Sequence, residues 1–249
     1  MKTALITGGS EGIGFAMAKW YAKRGYAIIL AARNKDRLEQ AALELRKYKV
    51  PVTAVSVDLC KKKQVYKLVE SFDAVDVVIA CAGSGGTGEA LQRSIEEDEK
   101  MVELNCISVM NLLKLYGRIM KDRGHGTLVT IASTGAFQPG PYIACYYATK
   151  AFVLSYTRAL SEELKGTGVH VSCICPGPVR TRFYEKYGGQ VPFGAQRAEQ
   201  VAECLSLVEK KPVIISGMMN KLLFVVPATL RMKAVGYMKK GIRRDPSGR

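Results

Sequence analysis

Tyr146 and Lys150, in the run Tyr146-Tyr147-Ala148-Thr149-Lys150, stand four residues apart. That spacing puts two side chains on one face of a helix. A phenol beside an ammonium is a device for moving protons. An isolated tyrosine titrates near about 10. A lysine cation at roughly 4 Å, in an effective dielectric of about 20, interacts with it by about 4 kcal/mol. That is worth up to about three pKa units before desolvation opposes it. The pair therefore predicts an acid or base that works near neutrality. Ser133, thirteen residues before the tyrosine, is placed to hydrogen-bond a substrate oxygen. The competing reading makes Tyr146 a packed helix aromatic and Lys150 a solvated charge.

A second cluster lies at the N-terminus, in Thr7-Gly8-Gly9-Ser10-Glu11-Gly12-Ile13-Gly14. Gly8, Gly12 and Gly14 fall where a strand pattern over residues 3–6 gives way to a helical one. Glycine permits the tight turn and the close approach of a pyrophosphate to the backbone. The helix that follows offers unpaired N–H groups and the positive end of its dipole. The next strand pattern ends in Ala31-Ala32-Arg33-Asn34. Folds that bind NAD often place an acid there for the ribose 2′-hydroxyl. Here Arg33 follows Ala32, and a guanidinium suits the 2′-phosphate of NADP. The expected cofactor is NADP(H); the alternative is that Arg33 merely caps the sheet edge.

These groups need a frame. Apolar strand patterns at 3–6, 27–31, 52–57, 77–80, 128–131, 169–174 and 213–215 alternate with helical ones. The helices run from Gly12 to Gly25 and over 35–47, 61–72, 97–121, 146–165 and 196–209. In the first, Ile13, Ala16, Met17 and Trp20 share a face; in the second, Leu38, Ala42 and Leu45 point inward. Strands this apolar belong to a parallel sheet covered on both faces. The expectation is a single α/β unit, a Rossmann-type doubly wound sheet of about seven strands. It occupies residues 1–217 and includes a substrate loop at 182–195. A basic, Met-rich tail follows at 218–249.

Composition narrows the function classes. The chain has 249 residues, 48% apolar, and a formal charge of +15. That charge suits an anionic ligand, nucleic acid or an acidic membrane surface. No recognition-helix, zinc-finger or RNA-binding signature supports nucleic acid. Seven cysteines without a Cys-x-x-Cys pair sit mostly in apolar runs, which points to a reducing compartment. His125 and His170 have no neighbours suited to a metal, and a Ser-His-Asp reading lacks a suitable Gly-x-Ser-x-Gly elbow. Met1 runs directly into a strand pattern, and no eighteen-residue stretch is continuously apolar, the long uncharged run 124–149 being interrupted by Gly, Pro, Ser and Thr. A cytoplasmic protein, with or without membrane association, is expected.

In these features the chain resembles the short-chain dehydrogenase/reductases, on the NADP-preferring side, near the hydroxysteroid dehydrogenases and 3-oxoacyl reductases. The shared residues are the Thr7–Gly14 turn, Asp58-Leu59, Ala82-Gly83, Asn105, Ser133, Tyr146 with Lys150, and Pro176-Gly177-Pro178-Val179 with Thr181. They cover about residues 1–215 in order. The resemblance implies that Tyr146 exchanges a proton with the carbonyl oxygen. It implies that Lys150 lowers the tyrosine pKa and binds the nicotinamide ribose, and that Ser133 holds the substrate oxygen. Asn105 would position a water in a proton relay. Asp58 would meet the adenine, Val179 and Thr181 the carboxamide, and Ser10 with Arg33 the extra phosphate. One departure is Cys81, where the family often has a framework asparagine; it puts local sheet stability in doubt. The long helices at 97–121 and 146–165 are the family's usual oligomer surfaces, so a homodimer or homotetramer is implied.

Two segments should flank the substrate: 135–143, with Phe137 and Tyr142, and the loop holding Phe183, Tyr184, Tyr187, Pro192 and Phe193. Aromatic walls suggest a bulky apolar carbonyl or alcohol, a hydroxysteroid or a long-chain 3-oxoacyl group; the alternative is that the rings only pack the loop down. The tail interleaves apolar residues with Lys221, Arg231, Lys233, Lys239 and Lys240. It reads as a lid, an oligomer contact or an interfacial helix. A non-catalytic NADP-binding sensor or scaffold is the alternative function.

Overall fold

The computed structural model describes residues 1–187, 191 and 194–240, without the side chains of 184–186. The first half alternates β1 (Thr3–Thr7), α1 (Gly12–Ala22), β2 (Ala27–Ala32), α2 (Lys35–Arg46), β3 (Val52–Ser56), α3 (Lys62–Ser71) and β4 (Val77–Ala80). The second half runs α4 (Ile95–Val102), α5 (Ser108–Arg123), β5 (Gly126–Ile131), α6 (Ala144–Glu163), β6 (Val169–Cys175), α7 (Arg182–Tyr187), α8 (Ala198–Ala202) and β7 (Val213–Ile215). The tail forms α9 (Met218–Leu222) and α10 (Ala228–Lys240).

The strands make one seven-stranded sheet in the order β3-β2-β1-β4-β5-β6-β7. Every neighbouring pair is parallel. The period-two alternation of a strand sorts side chains between two cores. Leu5 joins residues of α3, α5 and α6 on one face, while Ala4 and Ile6 join α1, α2 and α8 on the other. This is the expected doubly wound fold. The chain reverses its winding between β1 and β4, and at such a switch point the carboxyl ends of the strands leave a crevice.

One local expectation is widened and two are corrected. On α1 the expected face packs on the core, with Ala16 and Met17 buried and Ile13 and Trp20 partly buried, but Ala18, Tyr21 and Ala22 are buried as well. The helix packs on both β1 and α8, so its buried arc is wider and turned toward Tyr21. Trp20 is left at the rim, under the Arg24 guanidinium at 3.4 Å from its ring centre. The helical pattern over 97–121 is broken by a π turn at Glu103–Ile107, which separates α4 from α5. The pattern over 196–209 is only the short α8, followed by a 3₁₀ stretch over Glu203–Leu207. That tighter winding still carries Leu205 and Val208 into the core.

Candidate active site

The turn after β1 is held by packing that only glycine allows. Gly8 has φ +65° and donates its N–H to the carbonyl of Ala31 at 2.8 Å. A Cβ on Gly8 would lie 2.9 Å from Ala82 Cα, and one on Gly14 would strike the Gly8 carbonyl oxygen. The bare backbone that results faces the crevice at the start of α1. No acid sits in the first turn of that helix, and Glu11 makes no side-chain cap. Its carboxylate is drawn aside to Arg37 at 3.1 Å and Arg182 at 3.6 Å. The leading N–H groups of α1 are thus left for an anion.

One crevice gathers most of the predicted residues. Gly8, Ser10, Gly12, Ile13, Gly14, Arg33, Ala82 and Gly83 line one end. Ser133, Tyr146, Lys150, Pro176, Gly177, Val179, Thr181 and Phe183 line the rest. Arg33 is exposed at the mouth and has no ion pair among the described residues. The Thr7 hydroxyl accepts from the N–H groups of Cys81 and Ala82 at 3.1 and 3.2 Å. The loop after β4 is therefore tied to β1 without the asparagine that Cys81 replaces.

The polar centre is built from three elements. Ser133 ends the segment after β5, and its Oγ accepts the Gly135 N–H at 3.1 Å and faces the same crevice as Tyr146. Tyr146 and Lys150 project from α6 on the same side. Lys150 is 6% exposed; its Nζ donates to the Ile131 carbonyl at 2.8 Å and lies 5.7 Å from the centre of the Tyr146 ring. Burial lowers the lysine pKa from its ordinary value. Burial also pushes Tyr146 well above the usual tyrosine value, with Tyr147 adding to the rise and the Ser133 hydrogen bond opposing it. The expected fall does not occur in this crevice. Desolvation acts on both partners, and the ammonium is directed to a backbone carbonyl.

Asn105 occupies the π turn, buried, one step behind the crevice wall. Its Oδ1 accepts the Ser84 N–H at 2.9 Å, and its Nδ2 donates to Ser84 O at 2.9 Å and Thr149 Oγ1 at 3.0 Å. These contacts brace the loop beside Gly83 against α6. A π turn of this kind re-aims residues in the middle of a helix and is frequent at functional sites.

Three predicted residues fall elsewhere. Asp58 is not on the wall; its carboxylate accepts the Cys60 N–H at 3.1 Å, and Val57 and Leu59 line the crevice in its place. Phe137 is not on the wall either; its ring packs edge-on against Phe224 of the tail, centres 4.7 Å apart. Tyr142 has φ +61° and spends its carbonyl on the Gly88 N–H at 2.8 Å. The next residue, Ile143, reaches the crevice instead. The Tyr184 side chain, Pro192, Phe193 and residues 241–249 lie outside the described residues. Tyr187 does line the wall, with Phe183 at 5.1 Å between ring centres, and Phe183 approaches Tyr146 at 5.7 Å.

Ile143, the last residue of the expected 135–143 segment, is on the wall, whereas sequence reasoning missed Tyr147 and Lys239 as wall residues. Tyr147 left a trace: a Cβ on Gly135 or Gly140 would sit 2.6 or 2.5 Å from its ring, so both glycines make room for it. Lys239 left none, because only the path of α10 brings it there.

Comparison with known proteins agrees with this geometry. The chain matches the short chain dehydrogenase family over residues 2–191 and belongs to that family of oxidoreductases. An uncharacterized oxidoreductase of Myxococcus xanthus is 32% identical over 196 residues, 77% of this chain and 78% of that one. A short-chain dehydrogenase from Sphingobium yanoikuyae, solved in complex with NADPH, is 27% identical and superimposes with a TM-score of 0.83 over 99% of this chain and 98% of its own. The bulky-bulky ketone specific alcohol dehydrogenase from Comamonas testosteroni is 27% identical, with a TM-score of 0.80 over 98% and 96%.

Proposed function

We propose that this chain is an NADP(H)-dependent oxidoreductase acting on a carbonyl or hydroxyl carbon of a bulky apolar substrate. The observation that carries the reading is one crevice holding Ser133, Tyr146 and Lys150 at one end and the bare Gly8–Gly14 backbone at the other. The glycine cradle and the α1 N-terminus fit a pyrophosphate. Arg33, exposed and unpaired among the described residues, and Ser10 fit a 2′-phosphate. Val179 and Thr181 would meet the carboxamide, Lys150 the nicotinamide ribose, and Val57 with Leu59 the adenine side. When bound, the nicotinamide supplies or accepts the hydride. Ser133 would hold the substrate oxygen and Tyr146 would donate its hydroxyl proton to that oxygen during reduction. Asn105 would keep the loop at Gly83 and the helix carrying Lys150 in register.

Ile143, Tyr147, Phe183 and Tyr187 make the substrate end aromatic and apolar. A hydroxysteroid or a long-chain 3-oxoacyl group suits such walls, and the Comamonas relative is a dehydrogenase of bulky ketones by name. We read residues 1–217 as the catalytic unit, with the tail stitched onto it through Asn220. That side chain donates to the Ser216 carbonyl at 2.6 Å and to Gln196 Oε1 at 3.1 Å. The outer faces of α5 and α6 would serve a homodimer or homotetramer.

The test is oxidation of NADPH and NADH against oxosteroids, 3-oxoacyl thioesters and small ketones, followed by loss of reduced-nicotinamide absorbance. Turnover is expected with NADPH and the bulky ketones. In Arg33→Ala, KM for NADPH should rise about 10- to 100-fold, from loss of a charge-assisted contact worth about 1.5–3 kcal/mol. KM for NADH should not move. Equal use of both cofactors by the unaltered protein overturns the phosphate assignment.

A further inference from the structure

The tail turns its apolar residues away from the core. Among the described residues sixteen large hydrophobic side chains are exposed, and nine of these lie in residues 218–238. On α9 and the turn after it they include Met219, Leu222 and Val225, the last 83% exposed. On α10, Leu230, Ala234, Tyr237 and Met238 recur about one helical turn apart and form one stripe, with Val226 exposed just ahead of the helix. Lys233 and Lys240 fall on that same stripe, and Lys221 stands exposed on α9. Residues 218–240 carry five cations and no acid.

The inner side of the same segment is fixed. Phe224 packs on Phe137, Arg231 lies over Phe224 at 4.5 Å, and a Cβ on Gly236 would touch Pro141. Asn220 fills the space against Gly177 and binds Gln196. The apolar stripe is therefore a held surface. It adjoins the crevice, since Lys239 on α10 is part of the crevice wall.

We propose that this face docks on an anionic lipid bilayer, with α10 lying in the interface and the crevice mouth beside it. Charge decides between occupants. A second copy meeting this face across a two-fold axis would set the same cations against each other, without an acid to answer them. A nucleic acid would answer the lysines but offers aliphatic methionines, leucines and valines nothing to bury against. An acidic bilayer surface satisfies both: headgroups take the lysines, and the acyl boundary takes the apolar stripe. No helix of the described residues is long and apolar enough to cross the membrane, so the contact is peripheral. A bulky apolar substrate could then pass between bilayer and crevice without crossing water.

The experiment is sedimentation of the full chain with sucrose-loaded vesicles of phosphatidylglycerol and phosphatidylcholine, and with phosphatidylcholine alone. Two variants accompany it, Leu222→Ser/Leu230→Ser/Met238→Ser and Lys221→Glu/Lys233→Glu/Lys240→Glu. All six side chains are exposed and none is in the crevice wall, so thermal unfolding and NADPH binding serve as fold controls. The expected result is binding to the anionic vesicles that weakens with salt. At about fivefold per lysine, the charge variant should lose on the order of a hundredfold in partitioning. The apolar variant should lose binding as well. No binding to anionic vesicles, or binding unchanged in either variant, overturns the proposal. So does light scattering that shows a dimer converted to a monomer by the apolar variant, or retention on duplex DNA in place of vesicles.

Discussion

Tyr146→Phe is expected to lower carbonyl reduction by about 10³-fold, close to 4 kcal/mol of transition-state stabilisation, with NADPH binding changed less than about threefold. The substitution deletes one oxygen from a ring whose packing against Phe183 and Tyr147 is otherwise kept. On the proposed reading, the Gly8 turn and Arg33, not the Tyr146 oxygen, carry most of the cofactor binding. The pH profile carries a second check. Burial raises the phenol above its ordinary value, so it stays protonated through the neutral range and remains a competent acid. Reduction should be flat between about pH 6 and 9 and fall only beyond, while alcohol oxidation, which needs the phenolate, should climb across the same range. Undiminished reduction by Tyr146→Phe, with binding intact, would remove the acid from the mechanism and favour a protein that only senses NADPH.

Lys150→Met should have opposite effects on activity and stability. Turnover is expected to fall about 10²- to 10³-fold, because the group that faces both Tyr146 and the cofactor crevice is gone. Folding stability is expected to rise. Exchanging a buried charge for an apolar side chain of similar volume gains about 1–4 kcal/mol. Against this, the Ile131 carbonyl loses its donor, at about 1 kcal/mol. The net should appear as a Tm a few degrees higher, at about 2–4 °C per kcal/mol for a chain of this size. The linkage has a definite sign. The folded pKa of Lys150 lies below its unfolded value of 10.5, so the unfolded chain binds more protons between the two. The native protein therefore gains stability as pH rises through that window. The advantage of Lys150→Met should be largest at neutral pH and shrink toward about pH 10. A lower Tm for the variant at pH 7 would show that the bond to Ile131 outweighs the burial of the charge.

Much of this was written locally in the chain. The glycine turn, the alternation of strand and helix, the Tyr146–Lys150 spacing and the Ser133 position are short-range patterns. Each depends on a backbone need or a helical period that a few neighbouring residues enforce. Arg33 belongs with them, because the end of β2 is itself a local feature. Local pattern was thus enough to set the sheet, its crevice and the kinds of group that line it.

Direction and company were settled only in the folded chain. Phe137 and Tyr142 carry the right chemistry for a substrate wall, yet the tail claims one ring and a left-handed backbone sets the other aside. Asp58 is held by its own turn, where one carboxylate oxygen accepts the Cys60 N–H, a contact its place in the chain did not announce. The sign of the Tyr146 shift depends on how much water two whole layers of helices exclude, which no four-residue spacing encodes. Lys239 reaches the crevice, and the tail's apolar stripe faces outward, only because the tail folds back over Gly177 after β6 and over Phe137 and Pro141 after β5. Contacts between residues far apart in the chain are set by the balance of every layer, and that balance exists only in the folded molecule.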